Sequence, residues 1–114
     1  MIERCTFGTM TIDGRLYMTD LMIFPDGQVE EDWRRAAGHG LTADDISALI
    51  EAQPELIVAG LGMNGRVQPQ DDLKAVLADH GIELIAQPTE AAVKTYNAAR
   101  KESKNVAGCF HLTC

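Results

Sequence analysis

The chain has 114 residues, the usual size of one domain, and we expect residues 1–114 to fold as a single domain around one core. Its 17 acidic and 10 basic residues give a formal net charge of -7, which repels polyanions and argues against nucleic-acid binding as a main activity. No apolar run approaches the roughly 20 residues that a membrane span needs, and no basic segment precedes a long apolar stretch, so the expected location is cytoplasmic, without membrane insertion.

The first third of the chain alternates apolar and polar residues, a pattern that predicts antiparallel strands. Asp13-Gly14 suits the positive φ angles of a tight hairpin turn. The segment 25–27, Pro-Asp-Gly, indicates a second turn in which the fixed φ of proline helps. Three strands are therefore predicted, near residues 5–12, 15–24 and 28–34.

From Thr42 onward the apolar residues recur with a helical period. Thr42 and Asp45 resemble a capping box, and Pro54 is expected to end this first helix. The branched apolar run LIVAG then predicts a strand that is covered on both faces. A second helix follows Pro69 and ends at Gly81, IELIA repeats the pattern of a buried strand, and a third helix over about 89–103 precedes a last strand, NVAGCFHLTC.

This order of elements predicts the fold class. Helices that alternate with buried strands favour right-handed crossovers and parallel pairing. We expect an α/β protein with three layers and a mixed, largely parallel central sheet, which the N-terminal antiparallel β-hairpin or meander extends or flanks.

Three glycines after the LIVAG run are spaced as G-x-G-x-x-G, the spacing of many dinucleotide-binding loops: Gly60, Gly62 and Gly65. Four residues then intervene before helical signals begin, which is wrong for a Rossmann site, so no nucleotide cofactor is expected. Two interpretations stay open. The glycines either allow a sharp turn after a parallel strand, or form with Met63, Asn64 and the counter-charge Arg66 a site for a small anion.

The last strand places His111 and Thr113 on one face and Phe110, Leu112 and Cys114 on the other. A nucleophilic Cys–His pair needs both groups within hydrogen-bond reach, and opposite faces argue against one. His39, in a loop flanked by glycines, is either solvated or functional. The scattered histidines and the odd number of cysteines predict no metal site and favour free thiols.

Two further charged positions have simple interpretations at this point. Asp20 lies in the second predicted strand, either as a buried carboxylate or at a solvent-facing edge. Arg34 and Arg35 belong to a small group of basic residues that we expect on a solvated face.

Five segments together resemble the Mth938-like domain family: FGTMTIDGRLYMTDLMIFPDG, DWRRAAGHGL, LIVAGLGMNG, TEAAVKTYNA and AGCFHLTC. That family includes an adipogenesis-associated protein and a mitochondrial assembly factor for respiratory complex I. The resemblance implies a compact three-layer α/β fold with a mixed sheet, and it carries over no catalytic reaction. The positions that match the recurrent pattern of the family are Trp33, His39, the loop 60–65, Tyr96, Asn97, His111, Thr113 and Cys114.

The leading hypothesis is a non-enzymatic binding or assembly-type module with a protein partner. Its interaction surface would combine the glycine loop with Trp33, His39 and His111. The alternative is an enzyme or sensor that binds a small anion or metabolite at the glycine loop, with His39 or His111 moving a proton.

Overall fold

The computed structural model describes residues 1–36, 40–102 and 105–113. Within these residues the chain forms ten strands and three α-helices. The strands are β1 (Ile2–Thr6), β2 (Thr9–Ile12), β3 (Arg15–Tyr17), β4 (Leu21–Ile23), β5 (Val29–Glu30), β6 (Gly40–Leu41), β7 (Leu56–Leu61), β8 (Gln68–Pro69), β9 (Glu83–Gln87) and β10 (Val106–His111). The helices are α1 (Ser47–Glu51), α2 (Asp71–Asp79) and α3 (Thr89–Glu102), and a short 3₁₀ turn, Asp44–Ile46, precedes α1.

The central sheet has five strands in the order β5-β4-β10-β7-β9. β10 lies in the middle, parallel to β7 and antiparallel to β4, and β7 is parallel to β9. β1, β2 and β3 form a separate antiparallel sheet, and β6 pairs with β8. The predicted α/β class, with a mixed central sheet and an N-terminal antiparallel meander, is confirmed.

Alternate side chains of the central strands enter two different cores. Ala107 and Cys109 of β10 face the core that α1 and α2 cover, whereas Val106 and Phe110 face the core formed with α3 and the N-terminal sheet. The apolar runs in β7 and β10 are buried on both faces, as their unbroken hydrophobicity predicts. The N-terminal sheet and α3 on one side, and α1 and α2 on the other, make the three layers.

The strand boundaries predicted in the first third are wrong in detail. The segment predicted as 5–12 is divided by a turn at Phe7-Gly8, where Gly8 has φ +80°. The segment 15–24 changes sheets: its first half is β3, its second half is β4, and Asp20 lies at the break. The strand predicted at 28–34 is only β5. Alternation of apolar residues indicates extended strands, and it does not indicate which sheet a strand joins.

The predicted helix signals have structural counterparts. Thr42 N–H donates to Asp45 Oδ2 at 2.9 Å, and Asp45 N–H lies 3.4 Å from Thr42 Oγ1, which is the reciprocal bonding of a capping box. α1 ends before Pro54, and Gly81, with φ +68°, follows the last turn of α2. In the described part of the chain, no helix is long and apolar enough to cross a bilayer.

Candidate functional site at the carboxyl edge of the central sheet

The glycine loop leaves the carboxyl end of β7 as a tight turn. Gly65 N–H donates to Gly62 O at 3.1 Å, and both glycines have positive φ, +99° at Gly62 and +65° at Gly65. A side chain at either position would be strained, so the turn itself requires glycine. The next helix begins only at Asp71, so its N-terminus does not follow the loop as it does in a dinucleotide site.

Hydrogen bonds within the protein occupy much of the loop backbone. Gly62 N–H donates to Thr89 Oγ1 at 2.9 Å, and Met63 N–H donates to Thr113 O at 2.7 Å. With the bond of Gly65, three of the amides that an anion would need already have acceptors in the protein. Anion binding by this loop therefore stays a prediction, and it depends on the exposed side chains of Asn64 and Arg66.

Gly60 has a different reason to be glycine. A Cβ at this position would lie 2.9 Å from Phe110 Cδ1 and 3.0 Å from Thr89 Oγ1, closer than side-chain carbons approach such atoms. Its place in the G-x-G-x-x-G pattern thus reflects close packing of β7 against the ring of Phe110 and the start of α3.

Three charged or polar side chains meet beside the end of β10. His111 Nδ1 lies 2.6 Å from Asp20 Oδ2, and Arg35 Nη1 donates to the same oxygen at 3.1 Å. The other oxygen of Asp20 accepts the Leu112 N–H at 2.8 Å. All three side chains are largely buried, with exposed fractions of 18% for Asp20, 13% for His111 and 6% for Arg35. Asp20 is therefore a partly buried carboxylate, between the two alternatives that the sequence leaves open.

The contacts of His111 indicate which ring nitrogen carries the hydrogen. A carboxylate only accepts, so the 2.6 Å contact assigns the N–H to Nδ1, donating to Asp20. Arg35 Nη2 lies 3.2 Å from the same nitrogen, which is then a contact between two donors and not a bond. The second nitrogen, Nε2, lies 3.3 Å from Thr113 Oγ1, which is free to donate to it. The predicted placement of His111 and Thr113 on one face is confirmed by this contact.

Arg35 corrects an expectation from the sequence. The charge pattern predicts that Arg34 and Arg35 both lie on a solvated face. Of these two residues only Arg34 does, with 82% of its side chain exposed. The Arg35 guanidinium instead enters the cluster and lies over the ring of Trp33, 5.2 Å from its centroid. One sequence signal could have predicted this position of Arg35, namely the lone carboxylate of Asp20 within an apolar run. A carboxylate that is taken out of water needs a charged partner.

The other predicted site residues have separate places. Trp33 is 7% exposed, and its Nε1–H donates to Asp45 O at 2.8 Å, so this indole lies in the core and holds the segment that carries Arg35. Tyr96 packs edge-on against Phe110, and the amide of Asn97 bonds both backbone groups of Ile2. His39 and Cys114 lie outside the described residues.

Two exposed apolar side chains flank the same edge, and sequence reasoning missed them. Phe7 and Met18 are 64% and 71% exposed. Thr6 pairs with Thr9 and Met10 with Tyr17, so the turn after β1 and the end of β3 lie at the same end of the N-terminal sheet. Gly8 N–H donates to Leu112 O at 2.8 Å, which fixes that end beside the last residues of β10.

We call the set Phe7, Met18, Met63, Asn64 and Arg66 the carboxyl-edge surface. The backbone of residues 112–113 connects it, because Leu112 bonds the turn after β1 and Thr113 bonds the glycine loop. The Asp20–His111–Arg35 cluster contacts this connection through the Leu112 N–H, which donates to Asp20. Across residues 1–36, 40–102 and 105–113, no group of three histidine, cysteine or acidic side chains is arranged to hold a metal ion.

The fold and this edge define a small mixed α/β domain whose polar cluster is built into the end of its central strand. The family described as "Protein of unknown function (DUF498/DUF598)" matches residues 2–111, and the chain belongs to that family. It is similar to the solved structure named MT938, with 28% identity, a TM-score of 0.84, and coverage of 100% of this chain and 98% of the other.

Other solved structures share the fold. The conserved hypothetical protein PH1505 from Pyrococcus horikoshii has a TM-score of 0.85 at 24% identity, with coverage of 100% and 99% of the two chains. A Bordetella pertussis protein that is described as a Mth938-like domain has a TM-score of 0.72 at 19% identity, with coverage of 98% and 85%. The predicted membership of the Mth938-like family is confirmed.

Proposed function

We propose that this protein is a non-enzymatic binding or assembly-type module that binds a protein partner at the carboxyl-edge surface. The observation that carries the proposal is the exposure of Phe7 and Met18 beside the end of β10. Large apolar side chains that lie exposed together favour protein–protein contact, because covering them removes apolar area from water.

The buried cluster supports this surface. Asp20 follows Met18 by two residues and is bound to Arg35, His111 and the Leu112 amide, so the position of Met18 is tied to the central strand. Among the residues predicted for the interaction surface, Trp33 and His111 would act in this way, by holding the edge in place. Preorganised edges lose less conformational entropy when a partner binds.

Quantitative capture from lysate of the source organism tests the proposal. A Phe7→Ser, Met18→Ser bait is expected to lose most of a partner that the wild-type bait retains. Glu51→Ser is the control, because Glu51 is exposed in α1 on the other side of the central sheet, whereas Leu16, 57% exposed and two residues before Met18, lies on the same face as Met18. Equal capture by all three baits would contradict the proposal, and so would a wild-type bait that retains no protein above background.

The Asp20–His111–Thr113 chain favours one second candidate. A carboxylate that orients an imidazole, whose other nitrogen meets a hydroxyl, is an arrangement that can move a proton. The alternative function is therefore an enzyme or sensor for a small anion or metabolite, with Asn64 and Arg66 meeting the anionic group and His111, or His39, moving the proton.

Thermal-shift measurements test this candidate separately. The panel contains inorganic phosphate, nucleotides and carboxylic acids, each with wild type and Arg66→Ala. A ligand present at about 100 times its Kd adds about 2.7 kcal/mol to the free energy of unfolding, and Arg66→Ala should reduce that gain. No shift across the panel would count against the candidate. Cytoplasmic location stays a prediction for either function.

A further inference from the structure

β9 forms one edge of the central sheet, and its backbone points outward at two residues. Glu83 N–H donates to Glu55 O at 3.0 Å, so Glu83 turns its backbone groups toward β7. Because a strand alternates, Ile85 and Gln87 do the same, and Leu84 and Ala86 direct their N–H and C=O groups away from the sheet. Among the described strands, β7 alone pairs with β9.

This edge lacks the features that usually prevent pairing. The five residues ELIAQ contain one charge and no proline, and they pair with β7 in an unbroken register. The other edges of the central and N-terminal sheets carry such features: β5 has two residues, β3 has three, and β1 has an irregular register, two charged residues, and Asn97 bonded to the backbone of Ile2. A regular apolar edge is a ready template for another strand.

A groove lies beside the same edge. Its volume is about 430 Å³, and its apolar floor lies between α2 and β9. Leu84 and Ala86, whose backbone groups point outward, also turn their side chains into this groove. The lining residues are Leu61, Gln68, Pro69, Lys74, Leu77, Ala78, Ile82, Leu84 and Ala86. A strand added to β9 would therefore extend the hydrogen bonding and cover apolar side chains at once.

We propose that the occupant of this edge is a second copy of the chain, paired antiparallel through β9 about a two-fold axis at Ile85. In this register Leu84 lies opposite Ala86 of the second copy, and each of these residues directs its N–H and C=O at the other. Two such pairs give four backbone hydrogen bonds, and Ile85 meets its own symmetry mate. The strand is thus complementary to itself, as a two-fold interface requires.

The charges in this register are compatible as well. Glu83, the one charged residue of β9, lies opposite the neutral amide of Gln87 in the second copy. No like charges face each other along the pair, although the chain carries a net charge of -7. This local neutrality favours a second copy over an acidic or a basic peptide as the occupant.

Sedimentation of the full chain over roughly 10 µM to 1 mM tests the proposal, because the dimer fraction must rise with concentration by mass action. Wild type should move from the 12.4 kDa of one chain toward twice that mass. Ala86→Pro removes an N–H that points away from β7, so the sheet should persist while the dimer is lost. Ala86→Val retains the N–H and should still dimerise.

A charge pair at the two-fold axis tests the register itself. Ile85→Lys and Ile85→Glu each place like charges opposite each other and should each be monomeric, whereas an equal mixture should form a heterodimer. Restored dimer in the mixture also demonstrates that both variants are folded. Amide exchange at Leu84 and Ala86 should slow in wild type as concentration rises, with Glu83 unchanged.

Three results would overturn the proposal. Wild type that stays monomeric throughout the concentration series leaves the edge to another occupant. A dimer that survives Ala86→Pro is built elsewhere. A mixture of the two Ile85 variants that stays monomeric, with circular dichroism spectra like that of wild type, contradicts the register at Ile85.

Discussion

Asp20 is the residue on which the buried cluster depends. It accepts from His111, Arg35 and the Leu112 amide, so Asp20→Ala removes the carboxylate from one guanidinium and leaves the buried Leu112 N–H without its acceptor. Breaking such a pair costs about 3 kcal/mol of the free energy of unfolding. Urea denaturation measures the loss. A loss below about 1 kcal/mol would mean that the cluster contributes little to the fold.

Glu31→Ala is the matched control for Asp20→Ala. It removes an acidic partner of an arginine too, but Arg15 and Glu31 are both exposed, with exposed fractions of 66% and 45%. Exposed ion pairs contribute about 0.2–1 kcal/mol, so the denaturation midpoint should hardly change.

Substitutions at Gly60 and Gly8 test two different reasons why a position requires glycine. Gly60→Ala places a methyl group against Phe110 and Thr89, and such overpacking costs about 1–3 kcal/mol. Gly8→Ala meets no atom within 4 Å, and its cost of about 1–2 kcal/mol comes from the positive φ alone. Replacing Phe110 by Leu should therefore relieve part of the cost at Gly60 and none at Gly8. If the losses in the free energy of unfolding from Gly60→Ala and Phe110→Leu simply add in the double variant, the packing explanation is wrong.

At the scale of elements, Thr89 joins α3, the glycine loop and β10. Its hydroxyl accepts the Gly62 N–H at 2.9 Å and donates to His111 O at 2.6 Å, and its side chain is buried. Thr89→Val keeps the shape but leaves a buried donor and a buried acceptor unpaired, which costs about 2 kcal/mol. Thr89→Ser retains both bonds and should lose less than half of that. Equal losses in chemical denaturation would assign the effect to packing and not to the hydroxyl.

The sequence predicts the later elements better than the early ones. From Thr42 onward, caps, glycines and unbroken apolar runs are local signals, and the three helices and strands β7, β9 and β10 occur where these signals indicate. Three details differ: β8 is not predicted, β10 ends at His111, and β9, predicted as a buried strand, is a half-buried edge of the sheet. In the first third, one alternating pattern runs from β3 through Asp20 into β4, although the two strands belong to different sheets. The break depends on long-range contacts of Asp20 with Arg35 and His111, which a local pattern does not contain.

The same limit applies to the candidate site. Gly62, Gly65 and His111 are identifiable from spacing, because turn chemistry and strand alternation are local. The carboxyl-edge surface is not, because Phe7 and Met18 join the end of β10 only through the pairing of the N-terminal strands and the bond from Gly8 to Leu112. The burial of Arg35 escapes a local pattern for a similar reason, since its acceptor is distant in sequence.

For the whole molecule, the stability in alkaline solution should depend on a buried thiol. Cys109 is 1% exposed, and burial, with a smaller opposing effect of Arg35, raises the pKa of its thiol to about 12. Burial also raises the pKa of Tyr96. Above the ordinary thiol pKa the unfolded chain loses its proton and the folded chain keeps it, so the folded state binds more protons.

The free energy of unfolding should therefore fall as pH rises from about 9 toward 12, and Cys109→Ala should weaken that fall. Cys5→Ala is the matched control and should weaken the fall less than Cys109→Ala does. Burial raises the pKa of the Cys5 thiol too, but this side chain is only half-buried. Urea midpoints at intervals above about pH 8 measure both slopes. An alkaline slope that is the same in wild type and Cys109→Ala would mean that the thiol of Cys109 is not the group whose titration destabilises the fold.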